Sequence, residues 1–192
     1  SNPLNIFRAL AIEEWLLRQQ DVQDLRVYVW QSERTCVIGR FQNPWREVNH
    51  QVLEEQSITL ARRISGGGCV YQDQGNLNFS FLYPRIKEFQ HRKFEDNLEH
   101  VVDLIRPYGV ELKIGEKLDL LGKAASGEYL KVSGSAVKQT RTHVLHHLTL
   151  LVESDLSFIK RLLHEGGLEI EGKGIKSRPA EMLNLSTVSD LS

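Results

Sequence analysis

The sequence contains little that marks the more specialised classes of protein. Its two cysteines, Cys36 and Cys69, do not form a CxxC metal motif and are too few for a disulfide scaffold. No apolar run approaches the ~20 residues that a membrane span requires, and no signal-peptide pattern opens the chain. The seven histidines show no HExxH or similar metal-ligand spacing. These absences predict a reducing, intracellular setting without a membrane segment or a structural zinc site.

Charge and composition point to an ordinary globular domain. The formal net charge of −1 provides no general attraction to nucleic acid or to an anionic membrane surface. The composition, with 41% hydrophobic and 26% charged residues, is typical of a folded globular protein. The 192 residues suffice for one medium-sized domain with a core, and no internal repeat or low-complexity segment divides them.

Hydrophobic periodicity predicts helices and hairpins. Apolar residues recur at helical spacing at 6–17, with Glu13 and Glu14 outside the apolar stripe, and again at 94–105. Because the strands come in hairpins rather than in a βαβ series, the predicted fold class is α+β, with a mixed or antiparallel sheet packed against helices. The predicted helices are 6–17, 48–56, 94–105 and 155–163, and the predicted strands are 26–30, 35–39, 58–61, 77–82, 117–121, 129–132 and 143–152.

The segment RRISGGGCVY, residues 62–71, is the most informative part of the chain. Three consecutive glycines remove every Cβ from a loop, so a ligand can contact the backbone and an anion can face its N–H groups. Arg62 and Arg63 add donors suited to phosphate or carboxylate. The loop lacks the Gly-Lys-Ser/Thr of a Walker loop, and a purely structural corner is the alternative.

A second segment places a cation beside small residues. Lys131 precedes the run 133–136, Ser-Gly-Ser-Ala, and two histidines, His146 and His147, lie in the apolar strand that follows. Alternation along a strand directs the two histidines to opposite faces of a sheet. A lone lysine is ordinarily solvated at a strand edge, so the small residues beside Lys131 are what favour a ligand-binding function.

Together with other blocks in the same order, these segments resemble the lipoate–protein ligase A family. The resemblance covers nearly the whole chain. The blocks that carry it are Ala11-Ile12-Glu13-Glu14, Val37-Ile38-Gly39-Arg40, Gln42-Asn43-Pro44-Trp45, RRISGGGCVY, GNLNFSF at 75–81, KVSGSA at 131–136, HHLTLL at 146–151, Lys173-Gly174-Ile175 and Asn184-Leu185.

The resemblance implies a fold, a reaction and partners. The fold would be that of biotin/lipoate–protein ligase catalytic domains, which is related more distantly to class II tRNA synthetases. Lipoic acid would attack the α-phosphate of ATP to give lipoyl-AMP, with Mg²⁺ as the cofactor. The lipoyl group would then pass to a lysine of a carrier, either a 2-oxoacid dehydrogenase E2 subunit or the glycine-cleavage H protein. The implied location is the cytoplasm, or the mitochondrial matrix in a eukaryote.

The resemblance also implies roles for single residues. Lys131 would be the catalytic cation that bridges the carboxylate and the α-phosphate, and Asp119 would hold Mg²⁺. Arg63, Gly68, Lys131 and His147 would form the lipoate pocket. The residues implied to bind ATP and lipoyl-AMP are Arg63, Gly66, Gly67, Gly68, Cys69, Val70, Tyr71, Lys131, Ser133, Gly134, Ser135 and Ala136.

Departures from the family pattern keep alternatives open. Gln72 stands where many members have histidine, and Leu118 stands where many have asparagine. The resulting form, KLDLL at 117–121, resembles mitochondrial lipoyltransferases, which take an already activated lipoyl group. We expect residues 1–192 to be a single catalytic domain, with an accessory domain or subunit supplied separately. The alternatives are a transferase that uses preformed lipoyl-adenylate, an octanoyltransferase with a cysteine nucleophile, and a non-catalytic scaffold that binds a lipoyl domain.

Overall fold

The largest sheet of the computed structural model has four antiparallel strands. In spatial order they are β1 (Arg26–Trp30), β5 (Asn76–Pro84), β10 (His143–Leu151) and β9 (Ser133–Gln139). The structure describes residues 3–19, 21, 23–163, 174–177 and 179–188. Within these ranges, no helix is both long and apolar enough to span a membrane.

Two smaller sheets flank the large one. The first places β2 (Thr35–Ile38) between β3 (Thr59–Arg62), which is parallel to it, and β4 (Val70–Gln72), which is antiparallel. The second is antiparallel, with the order β6 (Leu112–Ile114), β7 (Leu120–Lys123) and β8 (Tyr129–Lys131). The loop between β3 and β4 carries the three glycines. Mixed sheets with helices against them confirm the predicted fold class.

Five α-helices complete the described fold. They are α1 (Ile6–Arg18), α2 (Pro44–Glu47), α3 (His50–Glu55), α4 (Phe94–Ile105) and α5 (Leu156–Leu163). The α1 helix contacts β5 and β10 of the large sheet. The predicted helix 155–163 corresponds to α5, and at its start the Asp155 carboxylate accepts the Phe158 N–H at 2.9 Å and caps the helix.

Alternation along β10 separates the core from the cavity. Leu148 and Leu150 pack with Phe79, Phe81 and Leu98 of α4 in the core on one face of the large sheet. On the other face, His147 and Thr149 line a cavity. A second core lies between the β3-β2-β4 sheet and the pair α3 and α5. It contains Cys36, Ile38, Val52, Tyr71, Phe158 and Leu162.

The buried His146 makes stability depend on pH. It is fully buried, close to Phe81 and Phe94, and its Nδ1 lies 3.0 Å from the Asn97 amide. Burial first, and the electrostatic effect of His147 and Arg92 second, lower the pKa of His146 from 6.5 to about 4. In the unfolded chain, the His146 imidazole therefore becomes protonated near pH 6.5. In the folded chain, it becomes protonated only near pH 4.

We expect the free energy of unfolding to fall as the pH drops from 6.5 to 4, because this proton favours the unfolded chain. The loss attributable to His146 is about 2–3 kcal/mol. It is measured by urea unfolding across this pH range. In His146→Gln the slope should be shallower, whereas His91→Gln, at an exposed position, should keep it. Equal slopes in the wild type and His146→Gln would contradict the account.

Ser57 holds a backbone conformation that suits glycine. Its φ is +50° just after α3, and the residue is exposed. A left-handed conformation costs a non-glycine residue ~1–2 kcal/mol, while glycine loses ~0.5–1 kcal/mol more entropy on folding. We therefore expect Ser57→Gly to stabilise the protein by about 0.5–1 kcal/mol in thermal unfolding. Ser126→Gly, at an exposed turn position without a positive φ, should give no such gain.

Candidate active site

A cavity of about 400 Å³ opens where the glycine loop meets β8, β9 and β10. Its volume is within the range of small-molecule sites. Apolar residues line part of the wall, among them Leu10, Trp30, Val37, Val70 and Ile159. Charged side chains lie at other points of the same wall. These are Glu13, Arg63, Lys117, Asp119, Lys131 and Lys176. The cavity therefore combines an apolar slot with a cationic region.

The glycine loop is close-packed where it borders the cavity. Gly67 has a φ of +86°, and a Cβ there would lie 2.9 Å from Arg63 Nη2 and 3.4 Å from Ala136 Cβ. A Cβ on Gly39 would lie 2.3 Å from the Gly67 carbonyl oxygen. Positions 39 and 67 therefore require glycine, the first for close approach and the second for backbone conformation.

Arg63 holds this loop together. The side chain is buried, and its Nη2 donates to the carbonyls of Gly66 at 2.8 Å and Gly68 at 2.6 Å. Its Nη1 donates to the Val37 carbonyl at 3.1 Å, and Nε donates to Ser65 Oγ at 3.0 Å. Burial lowers the pKa of Arg63 from its ordinary value. The guanidinium lines the cavity, but its donors are hydrogen-bonded to acceptors within the protein. Direct contact of Arg63 with a phosphate or carboxylate therefore stays a prediction.

Lys131 lies at the end of β8 and pairs with Asp119. Its Nζ is 3.3 Å from Asp119 Oδ2, and its side chain is about one-third exposed while that of Asp119 is largely buried. On either side, the Lys131 backbone bonds to Glu181 and Leu183 at 3.0 and 2.9 Å, which fixes the strand end. The small Gly134 lies beside the lysine stem, since a Cβ there would be 3.7 Å from Lys131 Cε. The ammonium is thus aimed along the cavity wall by its carboxylate partner.

The donor set fits a magnesium site poorly. The described residues contain no group of three or more acidic, histidine or cysteine side chains that could hold a metal ion. Asp119 is the predicted ligand, but its Oδ2 is already paired with the Lys131 ammonium at 3.3 Å. Mg²⁺ prefers octahedral oxygen coordination, so the phosphates of a nucleotide and water would have to provide almost all of it. Magnesium on Asp119 stays a prediction.

Buried hydrogen bonds link α1 to the glycine loop through His147. The His147 Nε2 is 2.7 Å from Ser65 Oγ, and its Nδ1 is 3.0 Å from Glu13 Oε1. Ser80 donates its hydroxyl to the same Glu13 oxygen. Glu13 is 1% exposed, so its predicted position outside the buried stripe of α1 is wrong. Because the carboxylate accepts these bonds, it can be buried on the apolar side of the helix.

The two cysteines lie together below the loop. Cys36 Sγ and Cys69 Sγ are 3.1 Å apart, and both side chains are buried and free. The hydrogen bond with Cys69 first, and burial second, raise the pKa of Cys36 well above its ordinary value. A reactive cysteine needs the opposite, a lowered pKa and access. Cys36 therefore lacks the environment of an acyl-enzyme nucleophile, and Cys69 is 8% exposed.

The structure brings the predicted site residues together around one cavity, with one exception. Gly66 is absent from the lining, although its two neighbours Gly67 and Gly68 belong to it. Lys173, which belongs to one of the sequence blocks, lies outside the described residues. Sequence reasoning assigned no cavity role to several residues that line the wall. These are Glu13, Trp30, Asn78, Lys117 and Lys176.

The fold and the cavity define a class, namely a mixed α+β domain whose cavity is lined by apolar residues and by charged side chains. More particularly, the chain belongs to the lipoyl protein ligase A/B catalytic domain family, whose model matches residues 5–192. This confirms the family that the sequence blocks indicate.

The chain is also similar to individual lipoate–protein ligases. A curated relative, lipoate-protein ligase A of Bdellovibrio bacteriovorus, is 35% identical over 189 residues, which cover 98% of this chain and 54% of the relative. A solved bipartite lipoate protein ligase of Thermoplasma acidophilum, described with its E2 lipoyl domain, has a TM-score of 0.79 at 25% identity. It matches 100% of this chain and 74% of its own.

A lipoate-protein ligase A structure with bound ATP has a TM-score of 0.79 at 27% identity, and the match covers 100% of this chain and 76% of that one. The chain thus spans about half the length of the curated relative it matches and about three-quarters of these solved chains.

Proposed function

We propose that the protein is an ATP-dependent lipoate–protein ligase. It would convert lipoate to lipoyl-AMP and then transfer the lipoyl group to a lysine of a lipoyl carrier domain. The observation that carries the proposal is Lys131, whose ammonium lies in a cavity that also has apolar walls and a glycine loop. The relative with bound ATP and the lipoate ligase names of the others support the same pair of substrates.

The first step needs charge and position more than a nucleophile of the protein. A lipoate carboxylate oxygen would attack the α-phosphorus, and the bond to the β-phosphate would break, so pyrophosphate leaves with the electron pair. Both reactants are anions, and a cation between them lowers their repulsion and stabilises the transition state. Lys131 is suited to this position because its amine lies between Asp119 and the small residues of β9.

The acyl chain would occupy the apolar part of the cavity. Trp30, Val37 and Val70 line it, and the Glu13–His147 pair lies on the same wall. A lipoyl chain is long and aliphatic, so it favours a narrow slot of this kind. In the second step, the carrier's amine would attack the acyl carbon, and AMP would leave with the carboxyl oxygen.

We test the overall reaction by the intact mass of an E2 lipoyl domain incubated with the protein, lipoate and ATP. The expected result is a mass increase of one lipoyl group that requires both small molecules. The T. acidophilum ligase is bipartite, so the assay is repeated with a candidate accessory domain or subunit. We expect that addition to increase the rate, because closing over the adenylate excludes water from it.

A transferase that uses preformed lipoyl-adenylate is the second candidate. Leu118 favours it, since the sequence KLDLL around this residue resembles the lipoyltransferase pattern. Supplying synthetic lipoyl-adenylate separates the two functions. Transfer from the adenylate, without adenylate formation from ATP under any condition, would establish the transferase. The cysteine environment gives no support to an octanoyltransferase of the acyl-enzyme type.

A further inference from the structure

A short late segment, Ile175 to Ser177, lies across the glycine loop and is anchored on both sides of Lys176. On one side, the Ile175 N–H donates to the Phe41 carbonyl at 3.2 Å. On the other side, Ser177 Oγ accepts the Cys69 N–H at 2.8 Å. The contact with the loop is close, since a Cβ on Gly68 would lie 3.1 Å from Ser177 Oγ. The backbone around Lys176 is therefore fixed against the edge of the cavity.

The anchor at Ser177 is built on a buried carboxylate. Glu47 is 3% exposed, and its Oε2 accepts the Ser177 N–H at 2.9 Å and also the Ser177 hydroxyl. Gln42, 4% exposed, donates from Nε2 to the same oxygen at 2.7 Å and accepts the Gly39 N–H at 2.9 Å. A buried carboxylate is costly unless several donors satisfy it. Two of these three donors belong to Ser177, so Glu47 and the segment Ile175 to Ser177 are held together.

Lys176 lies between these two anchor points. It lines the wall and is exposed, and the described part of the chain gives it no ion pair. Two other cations of the wall are already engaged, because Lys131 pairs with Asp119 and Arg63 donates to loop carbonyls. Lys117 also lines the wall and is exposed, but it lies outside the anchored segment. An ammonium on a flexible stem is a suitable point charge for phosphate. Its exposed position suits the outer phosphates of a nucleotide whose α-phosphate lies near Lys131.

We propose that Lys176 binds the β- and γ-phosphates of the nucleotide and the pyrophosphate they become, and that Glu47 and Gln42 are positioning residues that hold Lys176 there through Ser177. The proposal rests on the proposed use of ATP. In the reaction, Lys176 would stabilise the negative charge that pyrophosphate gains when the α–β bond breaks.

The test measures binding of inorganic tripolyphosphate and pyrophosphate by calorimetry, so it does not depend on turnover. In Lys176→Ala both affinities should fall about tenfold or more, since a charge-assisted contact is lost. Lys176→Arg should recover much of the loss. Lys87→Ala, which removes an exposed lysine away from the cavity, should bind like the wild type. Lipoate affinity should be unchanged in all three variants.

Glu47→Gln is the test of positioning. As a single substitution, it should weaken tripolyphosphate binding. In the Lys176→Ala background, it should cause little further loss of affinity, because Glu47 acts through Lys176. Ser177→Ala, which keeps Glu47 intact, should reproduce the effect, and thermal unfolding checks that each variant is folded.

Three results would overturn the proposal: no polyphosphate binding by the wild type, equal affinity in folded Lys176→Ala, or fully additive losses in the double variant. If the wild type binds polyphosphate through Lys176 but forms no lipoyl-AMP, the proposed function fails and the phosphate site stands.

Discussion

Lys131→Ala should lower the rate of lipoyl-AMP formation by about 30–1000-fold while leaving the fold intact. The reason is electrostatic, because one cation between two anions contributes about 2–4 kcal/mol to transition-state stabilisation. The side chain is about one-third exposed, so its removal leaves no large cavity in the core. The measurement is single-turnover formation of lipoyl-AMP, with circular dichroism and thermal unfolding as checks of the fold.

The loss must be specific to this lysine. Lys138→Ala removes an amine from β9, the strand that follows Lys131, and Lys138 does not line the cavity. It should form lipoyl-AMP at the wild-type rate. Near-normal adenylate formation and normal transfer in a folded Lys131→Ala variant would remove Lys131 from its assigned position.

Gly67→Val should weaken lipoate binding by at least about tenfold. A side chain at this position meets Arg63 Nη2 at 2.9 Å, and the residue has a φ of +86°. A β-branched residue resists that conformation by ~1–2 kcal/mol, so the loop must shift where it borders the cavity. The measurement is lipoate affinity by calorimetry, and we expect binding to be damaged more than thermal stability.

Gly66→Val is the matched control within the same loop. A Cβ on Gly66 meets nothing within 4 Å, its φ is not positive, and the residue does not line the cavity. This variant should bind lipoate like the wild type. Unchanged lipoate affinity in a folded Gly67→Val variant would show that the triple glycine is a structural corner and not part of the acyl site.

The regular elements followed from local patterns where those patterns were long. The predicted strand 26–30 and helix 94–105 coincide with β1 and α4, because apolar periodicity extends over each whole element. The short elements α2, β4 and β6 were not predicted, since three or four residues carry too little periodicity. The predicted hairpin 117–121 with 129–132 is shifted, and β7 begins only at Leu120 after the left-handed Leu118.

The parts of the site that lie within a single sequence motif were predictable, whereas contacts between residues distant in the sequence were not. The glycine loop and KVSGSA lie on the same cavity, as motif chemistry led us to expect. The pairing of Lys131 with Asp119 was not predictable, because sequence spacing does not show that the two strands bring them to 3.3 Å. Glu13 and Glu47 were missed for a related reason. Charged residues are assigned to the surface by default, and only tertiary hydrogen bonds allow these two to be buried.

The hydrogen-bond partners of Arg63 were also not predictable from the sequence. Its forked donors suit a phosphate, and the sequence shows no competing acceptor. In the fold, Arg63 Nη2 donates to two carbonyls of its own loop, those of Gly66 at 2.8 Å and Gly68 at 2.6 Å. A glycine loop that exposes its backbone to a ligand also exposes carbonyls that need a partner.

The most direct measurement of the central claim is ATP–pyrophosphate exchange in the presence of lipoate. Radiolabelled pyrophosphate should enter ATP only when the protein and lipoate are both present, because exchange requires reversible formation of lipoyl-AMP. Lys131→Ala should slow the exchange by about 30–1000-fold, whereas Lys138→Ala should retain the wild-type rate. A folded protein that gives no lipoate-dependent exchange, alone or with a candidate accessory subunit, would contradict the account.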